Sequence, residues 1–259
     1  PEDLNELCFE DKWILSKLNA VIRDVTDNMD KYELGIAVQK VYDFLWDELC
    51  DWYIEMAKVR LWKADEDPKA ANDALWTLRT ALTEGLKLLH PYMPFITEEI
   101  YCTLLPEEES IMISDWPVYQ EAWVFPEAEK AVESFKEVVR GIRNTRTEMN
   151  VPANRKTSLH IVGRDADTCA RYEACKKSFV NLALAKEILV QETKEGIGDD
   201  AVSVVVSDAV VYMPLEDLVD REKEMERLKK EQERLKKEIA RCQGMLGNPN
   251  FVNKAPEAK

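Results

Sequence analysis

The chain of 259 residues is acidic, with a formal net charge of −15, and 46% of its residues are hydrophobic. This length supports a sizeable core and predicts two or more domains. No apolar run approaches the roughly 20 residues that cross a bilayer, so the pattern excludes a membrane span. The surplus of carboxylates argues against general nucleic-acid binding, because phosphate binding requires basic surface.

The start of the chain and its cysteines indicate where the protein works. It begins Pro1-Glu2-Asp3, without an initiator methionine or a signal peptide, as expected for a fragment excised from a longer protein. Six cysteines form no C-x-x-C pair and only two histidines accompany them, so we predict no metal site. Free thiols of this kind are typical of a reducing cytoplasm.

Apolar residues recur every three or four positions across residues 12–25, which predicts a first amphipathic helix. Trp13 lies about 140° from the centre of that stripe, with Lys17 on the same flank and Lys12 on the polar side. A tryptophan exposed beside lysines is suited to stacking on a nucleic-acid base. The alternative is that Trp13 packs against a neighbouring helix, because tryptophan is usually largely buried.

Three further helices complete most of a predicted bundle. Residues 32–62 carry apolar positions on nearly all sides, which predicts a helix inside the bundle and gives its aromatic rings a place in the core. Asp67-Pro68 predicts a capped start for a third helix. Pro91 and Pro94 end that helix and begin a fourth, since proline lacks the N–H that continues a helix. The apolar side chains of this corner, Phe95 among them, are available to fill a core.

A fifth helix is predicted from Pro126 to about residue 149. Its last turns carry Arg140, Arg143 and Arg146, and residues 140–156 hold these and two more basic residues against the single acid Glu148. Such cations could contact RNA phosphates. The alternative is that they complement the negative end of the helix and pair with acids elsewhere.

The pattern changes after Pro152. A helix near residues 167–182 and four short strands predict a small α+β unit. The strands are predicted at residues 156–162, 187–190, 201–206 and 209–213.

A heptad seam begins near residue 218, with apolar residues spaced by three, four and seven. Its members are Leu218, Met225, Leu228, Leu235, Ile239, Cys242 and Leu246. Residues 221–241 also hold nine basic residues against six acidic ones. Only one half of a helical hairpin is present, so the exposed seam predicts either high mobility beyond about residue 219 or self-association.

Four separated motifs resemble class I aminoacyl-tRNA synthetases. The stretch Leu89-His90-Pro91-Tyr92-Met93-Pro94-Phe95 is similar to the anticodon-binding helical domain of the enzymes for valine, isoleucine and leucine. Residues 42–55, residues 142–152 and the tail with Asn-Pro-x-Phe and Lys-Ala-Pro are similar to the valine-specific family in particular.

The resemblance implies a mostly α architecture. It places a helical-bundle anticodon-binding domain at residues 1–151, a small α+β domain at 152–216 and a truncated coiled-coil arm at 217–259. Anticodon contacts are then expected from Lys12, Trp13, Lys17, Arg143 and Arg146. Contacts with the tRNA elbow are expected from Arg227, Arg234, Arg241 and Lys254.

The resemblance also implies the partners: the tRNA for valine and the catalytic body of a full-length cytoplasmic enzyme. We expect no catalytic residue, metal or cofactor in this chain, because the His-Ile-Gly-His and Lys-Met-Ser-Lys-Ser signatures are missing from it. ATP would serve the full-length enzyme. The alternative function is a helical scaffold that binds a protein partner through the exposed heptad seam.

Overall fold

The computed structural model describes residues 3–218 and 221–246. Most of them are helical, as predicted. The helices are α1 (Phe9–Asp30), α2 (Leu34–Asp43), a π-helical segment (Phe44–Tyr53), α3 (Ile54–Leu61), α4 (Pro68–Leu89), α5 (Pro94–Leu104), α6 (Pro126–Glu148), α7 (Ala166–Ala174), α8 (Lys176–Leu182), α9 (Leu215–Leu218) and α10 (Arg221–Leu246).

Helix α1 is the centre of the bundle. It contacts α2, α4, α6 and the π-helical segment, which surround it on several sides. The apolar stripe predicted for residues 12–25 is buried except for the partly buried Val21. Residues outside that stripe are buried too, because α6 covers a further flank. A helix enclosed in this way contributes apolar contacts around most of its circumference.

The predicted second helix runs without a break from Leu34 to Leu61, but its middle ten residues are π-helical. It packs against α1 and α4 and leaves a third side open to solvent. On that side Tyr42 and Trp46 are 54% and 57% exposed and stack with ring centroids 6.3 Å apart. The prediction that all the rings of this helix belong to the core is therefore wrong for this pair.

Two contacts fix the two halves of this long helix. Near its middle, Leu45 lies against α4, where a Cβ added to Gly85 would approach the Leu45 Cδ2 to 2.7 Å. At its end, Arg60 donates two hydrogen bonds of 2.6 Å to the fully buried Asp11 of α1. The Tyr53 hydroxyl donates a third to the same carboxylate at 2.6 Å. The carboxylate is paired and hydrogen-bonded, as a buried charge must be.

The proline corner is confirmed. Asp67 caps α4 by accepting a hydrogen bond of 3.1 Å from the Ala70 N–H, and α5 begins at Pro94. One expectation for the corner is wrong: Phe95 does not fill a core, since it is 90% exposed. The first turn of α5 instead contacts the end of α4 through Thr97, which is buried and whose Oγ1 lies 2.7 Å from His90 Nδ1.

The four predicted strands are confirmed as β1 (Thr157–Gly163), β2 (Ala185–Gln191), β3 (Val202–Val205) and β4 (Ala209–Met213). They form one sheet in the order β2-β1-β4-β3, parallel between β1 and β2 and antiparallel elsewhere. The single helix predicted near residues 167–182 is divided at Cys175 into α7 and α8.

The sheet unit shares its core with the bundle. The Phe135 ring of α6 meets the Phe179 ring of α8 at 4.5 Å between centroids, and Trp52 and Tyr172 extend this aromatic column at 6.3 Å on either side. The boundary predicted at residues 151 and 152 marks a change of secondary structure, while the packing of side chains continues across it.

A carboxylate ties the β3–β4 turn to two helices. Asp208 accepts hydrogen bonds from the Tyr172 hydroxyl at 2.6 Å, the Ser134 hydroxyl at 2.9 Å and Arg171 Nη2 at 3.2 Å. Burial alone would raise the pKa of Asp208, but these donors hold it below its usual value. The turn is therefore locked against α6 and α7 while the carboxylate is ionised.

The C-terminal seam is described only in part. Leu218 is buried in the common core, so it does not belong to an exposed seam. On α10, Leu235 and Ile239 are 47% and 56% exposed. The predicted arm residue Lys254 lies outside the described residues, as does the side chain of Arg227. No described helix is both long and apolar enough to cross a membrane.

Candidate nucleic-acid interface

Trp13 is fully buried, so the prediction that it is exposed for base stacking is wrong. Helix α6 covers the flank of α1 on which Trp13 lies. The indole Nε1 donates to Glu133 Oε1 at 3.4 Å, and Lys136 Nζ lies 5.0 Å from the ring centroid. Trp13 instead packs against a neighbouring helix, α6, which was the alternative prediction for this residue.

Lys136 is the buried cation at the centre of this contact, with only 2% of the residue exposed. Its Nζ donates to Glu48 at 2.6 Å and to Glu133 at 3.3 Å. The same atom lies 5.0 Å from the Trp13 ring centroid and 5.6 Å from that of Trp52. Two carboxylates and two aromatic faces thus replace the water that a buried ammonium loses.

The two predicted lysines of α1 are half-buried and already engaged. Lys17 Nζ lies 3.0 Å from Glu133 Oε1, and Lys12 Nζ donates to the Asn5 carbonyl at 2.7 Å. Burial would lower the pKa of Lys17, but the Glu133 carboxylate raises it. Burial would raise the pKa of Glu133, and Lys136 and Lys17 lower it. The structure thus brings Trp13 and Lys17 together through Glu133, in a partly buried cluster.

Arg146 is also buried, at 7% exposure. It donates to Thr157 Oγ1 at 2.9 Å, to the Arg155 carbonyl at 2.6 Å and to the Pro152 carbonyl at 3.2 Å. Burial lowers the pKa of its guanidinium. Arg146 holds the connection from α6 to β1 through these hydrogen bonds. Because its guanidinium is buried and directed to the chain itself, the prediction that it contacts phosphate is wrong.

Arg143 and Arg140, about one and two turns earlier on α6, are exposed. Their guanidinium carbons lie 5.3 Å and 5.7 Å from the centroid of the Trp52 ring, and Arg143 Nε donates to the Leu182 carbonyl at 3.2 Å. Within the described residues, no carboxylate lies within 4.0 Å of either guanidinium group. We call Trp52, Arg140 and Arg143 the arginine platform.

The sequence pattern did not indicate a site at Trp52, because aromatic density usually indicates a core. A signal for the platform was present: Lys136, Arg140 and Arg143 are spaced by four and three residues, which places them along one face of α6. Nothing in that spacing identified the ring that they share.

A second basic surface lies on α10. Arg234, Lys237 and Arg241, again spaced by three and four, are exposed and border a shallow groove together with Glu238. Arg234 Nη2 is 2.8 Å from Glu231 Oε1, a contact between exposed groups that is worth little. Across residues 3–218 and 221–246 no cluster of three or more potential metal ligands occurs.

Two family models match the chain in succession. Residues 11–161 match the anticodon-binding domain of tRNA ligase, and residues 220–258 match the valyl tRNA synthetase tRNA binding arm. The first match covers the bundle and enters β1, and it includes the arginine platform. The second covers α10 and continues into residues outside the described part.

Curated relatives agree with both matches. The chain is 48% identical over 264 residues to the valine–tRNA ligase of Clostridium perfringens and 49% identical over 257 residues to that of Clostridium tetani. In each case 99% of this chain and 29% of the relative are covered. The ligase of Staphylococcus carnosus is 40% identical over 97% of this chain. The chain spans less than a third of the length of these relatives, and it belongs to the valyl-tRNA synthetase family, in the region that holds the anticodon-binding domain and the tRNA binding arm.

Proposed function

We propose that this chain recognises the tRNA for valine as the tRNA-binding region of a longer valine–tRNA ligase. The observation that carries the proposal is the order of the two family matches, with an anticodon-binding domain followed by a tRNA binding arm along one chain. Because the anticodon-binding domain and the arm are two distinct elements that would contact one RNA molecule, they favour an elongated ligand over a small one.

The distribution of charge supports an RNA partner. The chain carries a net charge of −15, yet exposed cations collect on α6 and on α10. On an otherwise repulsive surface such patches determine where a polyanion approaches and how it is oriented. Of the predicted anticodon contacts, Arg143 keeps an exposed guanidinium. Of the predicted elbow contacts, Arg234 and Arg241 are exposed on α10.

The remaining parts of the proposal concern the longer protein. Its catalytic body would use ATP to join valine to the tRNA that this region holds, in the cytoplasm. This chain supplies affinity and orientation in that reaction.

The proposal also includes self-association of the isolated chain. Leu235 and Ile239 form an exposed apolar line on α10, and burying a large apolar side chain stabilises a helix pair by about 1.5–3 kcal/mol. A second copy of α10 has the matching apolar spacing. The comparisons add no support to the scaffold alternative.

A binding titration tests the central proposal. Fluorescence anisotropy would compare labelled tRNA for valine with tRNA for isoleucine at several salt concentrations. We expect tighter binding of the valine tRNA and a linear fall of log affinity with log salt, because phosphate contacts release counterions. Equal affinity for both would refute recognition by this chain, and a lack of binding would refute the tRNA function altogether. Truncation after residue 218 is the matched variant that separates the arm from the bundle.

A further inference from the structure

Three cations lie against one tryptophan ring. Lys136 Nζ, the Arg140 guanidinium and the Arg143 guanidinium are 5.6 Å, 5.3 Å and 5.7 Å from the Trp52 centroid. Like charges crowded around one ring repel each other. Among the described carboxylates, Glu48 and Glu133 pair with Lys136, and none pairs with either arginine.

The two arginines retain unused hydrogen-bonding capacity. In the described part of the chain the Arg140 side chain makes no hydrogen bond or ion pair, and the Arg143 side chain uses only its Nε, toward the Leu182 carbonyl. A guanidinium that rests on an aromatic face keeps its N–H edge free for a planar, bidentate acceptor. The ring and the Leu182 carbonyl hold the groups in place, so less conformational entropy is lost when they bind.

We propose that the arginine platform binds a backbone phosphate of RNA, with Arg140 and Arg143 as its paired donors and Trp52 as the positioning residue beneath them. This inference rests on the proposed tRNA-binding function and names the site on α6 at which the bundle contacts the RNA backbone. Arg140 thus replaces the buried Arg146 as the second phosphate contact beside Arg143.

The burial of Trp52 indicates a phosphate rather than a base. The residue is only 7% exposed and its ring is already flanked by cations, so no face is open for a base to stack on. A phosphate contact positions RNA without selecting its sequence. The platform therefore contributes equally to the binding of tRNA for valine and of tRNA for isoleucine.

The test uses Arg140→Gln, Arg143→Gln and the double variant in the full chain, with tRNA affinity measured across a series of salt concentrations. We expect each lost phosphate contact to reduce the slope of log affinity against log salt by about 0.7–0.9. Arg140→Lys should keep most of the slope but weaken binding, because lysine retains the charge and loses the bidentate geometry.

Arg23→Gln is the matched control. Its guanidinium also lies on an aromatic ring, 5.8 Å from the Tyr119 centroid, but it has a carboxylate partner in Asp24 at 3.2 Å. We expect its slope to equal that of the wild type. Thermal melts of all variants would verify that each is folded.

The outcomes separate this inference from the proposed function. Wild-type binding with an unchanged slope in the double variant would overturn the platform and leave the tRNA function standing. Absence of wild-type binding would overturn both. Polyglutamate provides a further test. If it displaces tRNA as effectively as unlabelled tRNA does, and the double variant loses this effect, the platform binds an acidic protein segment and the phosphate site is overturned.

Discussion

Replacing Lys136 with methionine removes the cation that Glu48 and Glu133 share at the contact between α1, α6 and the π-helical segment. Methionine has nearly the same length and is apolar, so the packing between Trp13 and Trp52 is largely kept. The change leaves Glu48 and Glu133 without their shared partner.

The size of the loss follows from burial. Breaking a fully buried ion pair costs about 3–5 kcal/mol, but the side chains of Glu48 and Glu133 are 24% and 41% exposed and keep part of their hydration. Two cation–π contacts of about 0.5–2 kcal/mol each are lost as well. We expect the free energy of unfolding to fall by about 2–4 kcal/mol, and Tm by roughly 4–16 °C for a domain of this size.

The assay is urea denaturation followed by tryptophan fluorescence, with Lys130→Met as the control. Lys130 is exposed on the same helix, and its replacement should change the free energy of unfolding by no more than about 0.5 kcal/mol. A loss for Lys136→Met that equals the control would refute the view that this buried cation stabilises the bundle.

The effect should also depend on pH. The pKa of Glu133 is lowered by Lys136 and Lys17 against the effect of burial, so its contribution to stability is complete above the unfolded pKa of about 4.3 and is lost as pH falls through the lower folded value. Without Lys136 that contribution is smaller. The difference in stability between wild type and Lys136→Met should therefore narrow below about pH 4.

Four further outcomes are expected. Trp13→Ala should lower the free energy of unfolding by about 3–5 kcal/mol in a thermal or urea melt, while the folded fraction keeps its tRNA affinity; weaker binding with unchanged stability would restore the base-stacking prediction. Arg146→Gln should cost about 1–3 kcal/mol in the same melts and leave the salt dependence of tRNA binding unchanged, because its donors are directed to the chain itself. Asp208→Asn should destabilise the protein by about 1.5–3 kcal/mol at neutral pH. Because the pKa of Asp208 is lowered by folding, its contribution is present above the unfolded value near 3.9 and lost as pH falls through the folded value, so melts of the variant should show less acid sensitivity. Leu235→Lys with Ile239→Lys should shift light scattering toward a monomer, whereas an unchanged mass would contradict pairing through the seam.

The helix ends were predictable because their causes are local. Asp67-Pro68, Pro94 and Pro126 stand where helices begin in the structure, since a cap or an N-terminal proline acts within one turn of the chain. The strands were predictable for the same reason, from short alternating patterns between turns. Their bounds agree with the structure within about two residues.

The surroundings of Trp13 were not predictable from its own helix. Its angle on α1 was derived from helical geometry, but whether that flank is solvated depends on Glu133, which lies 120 residues later in the chain. The spacing of apolar residues along a helix shows which of its faces is apolar, but not which other helix covers each face. The partner that covers a flank is determined by the packing of the whole bundle.

The arginines of α6 show the same limit over a shorter distance. All three lie in the last turns of one helix, yet Arg146 is buried because β1 begins close to it and supplies Thr157 as an acceptor. Arg140 and Arg146 lie about 120° apart around α6, and Arg146 shares its face with the buried Val139 and Ile142. The acceptors that hold Arg146 come from the path of the chain after Pro152.

The π-helical segment determines how the two ends of the second helix are rotated relative to each other. Each backbone N–H in such a segment bonds one residue farther back than in an α-helix, so the segment holds more residues per turn. If residues 44–53 adopted an ordinary α-helix without a change of length, the turns after Tyr53 would rotate relative to those before Phe44, because each α-helical residue turns about 100° and each π-helical residue turns less. Leu45 could stay against Gly85, but Arg60 would turn away from Asp11 and leave that buried carboxylate without its cation. The π-helical geometry is thus required for the pair of Arg60 and Asp11, whereas the turns between residues 106 and 125 follow no such register.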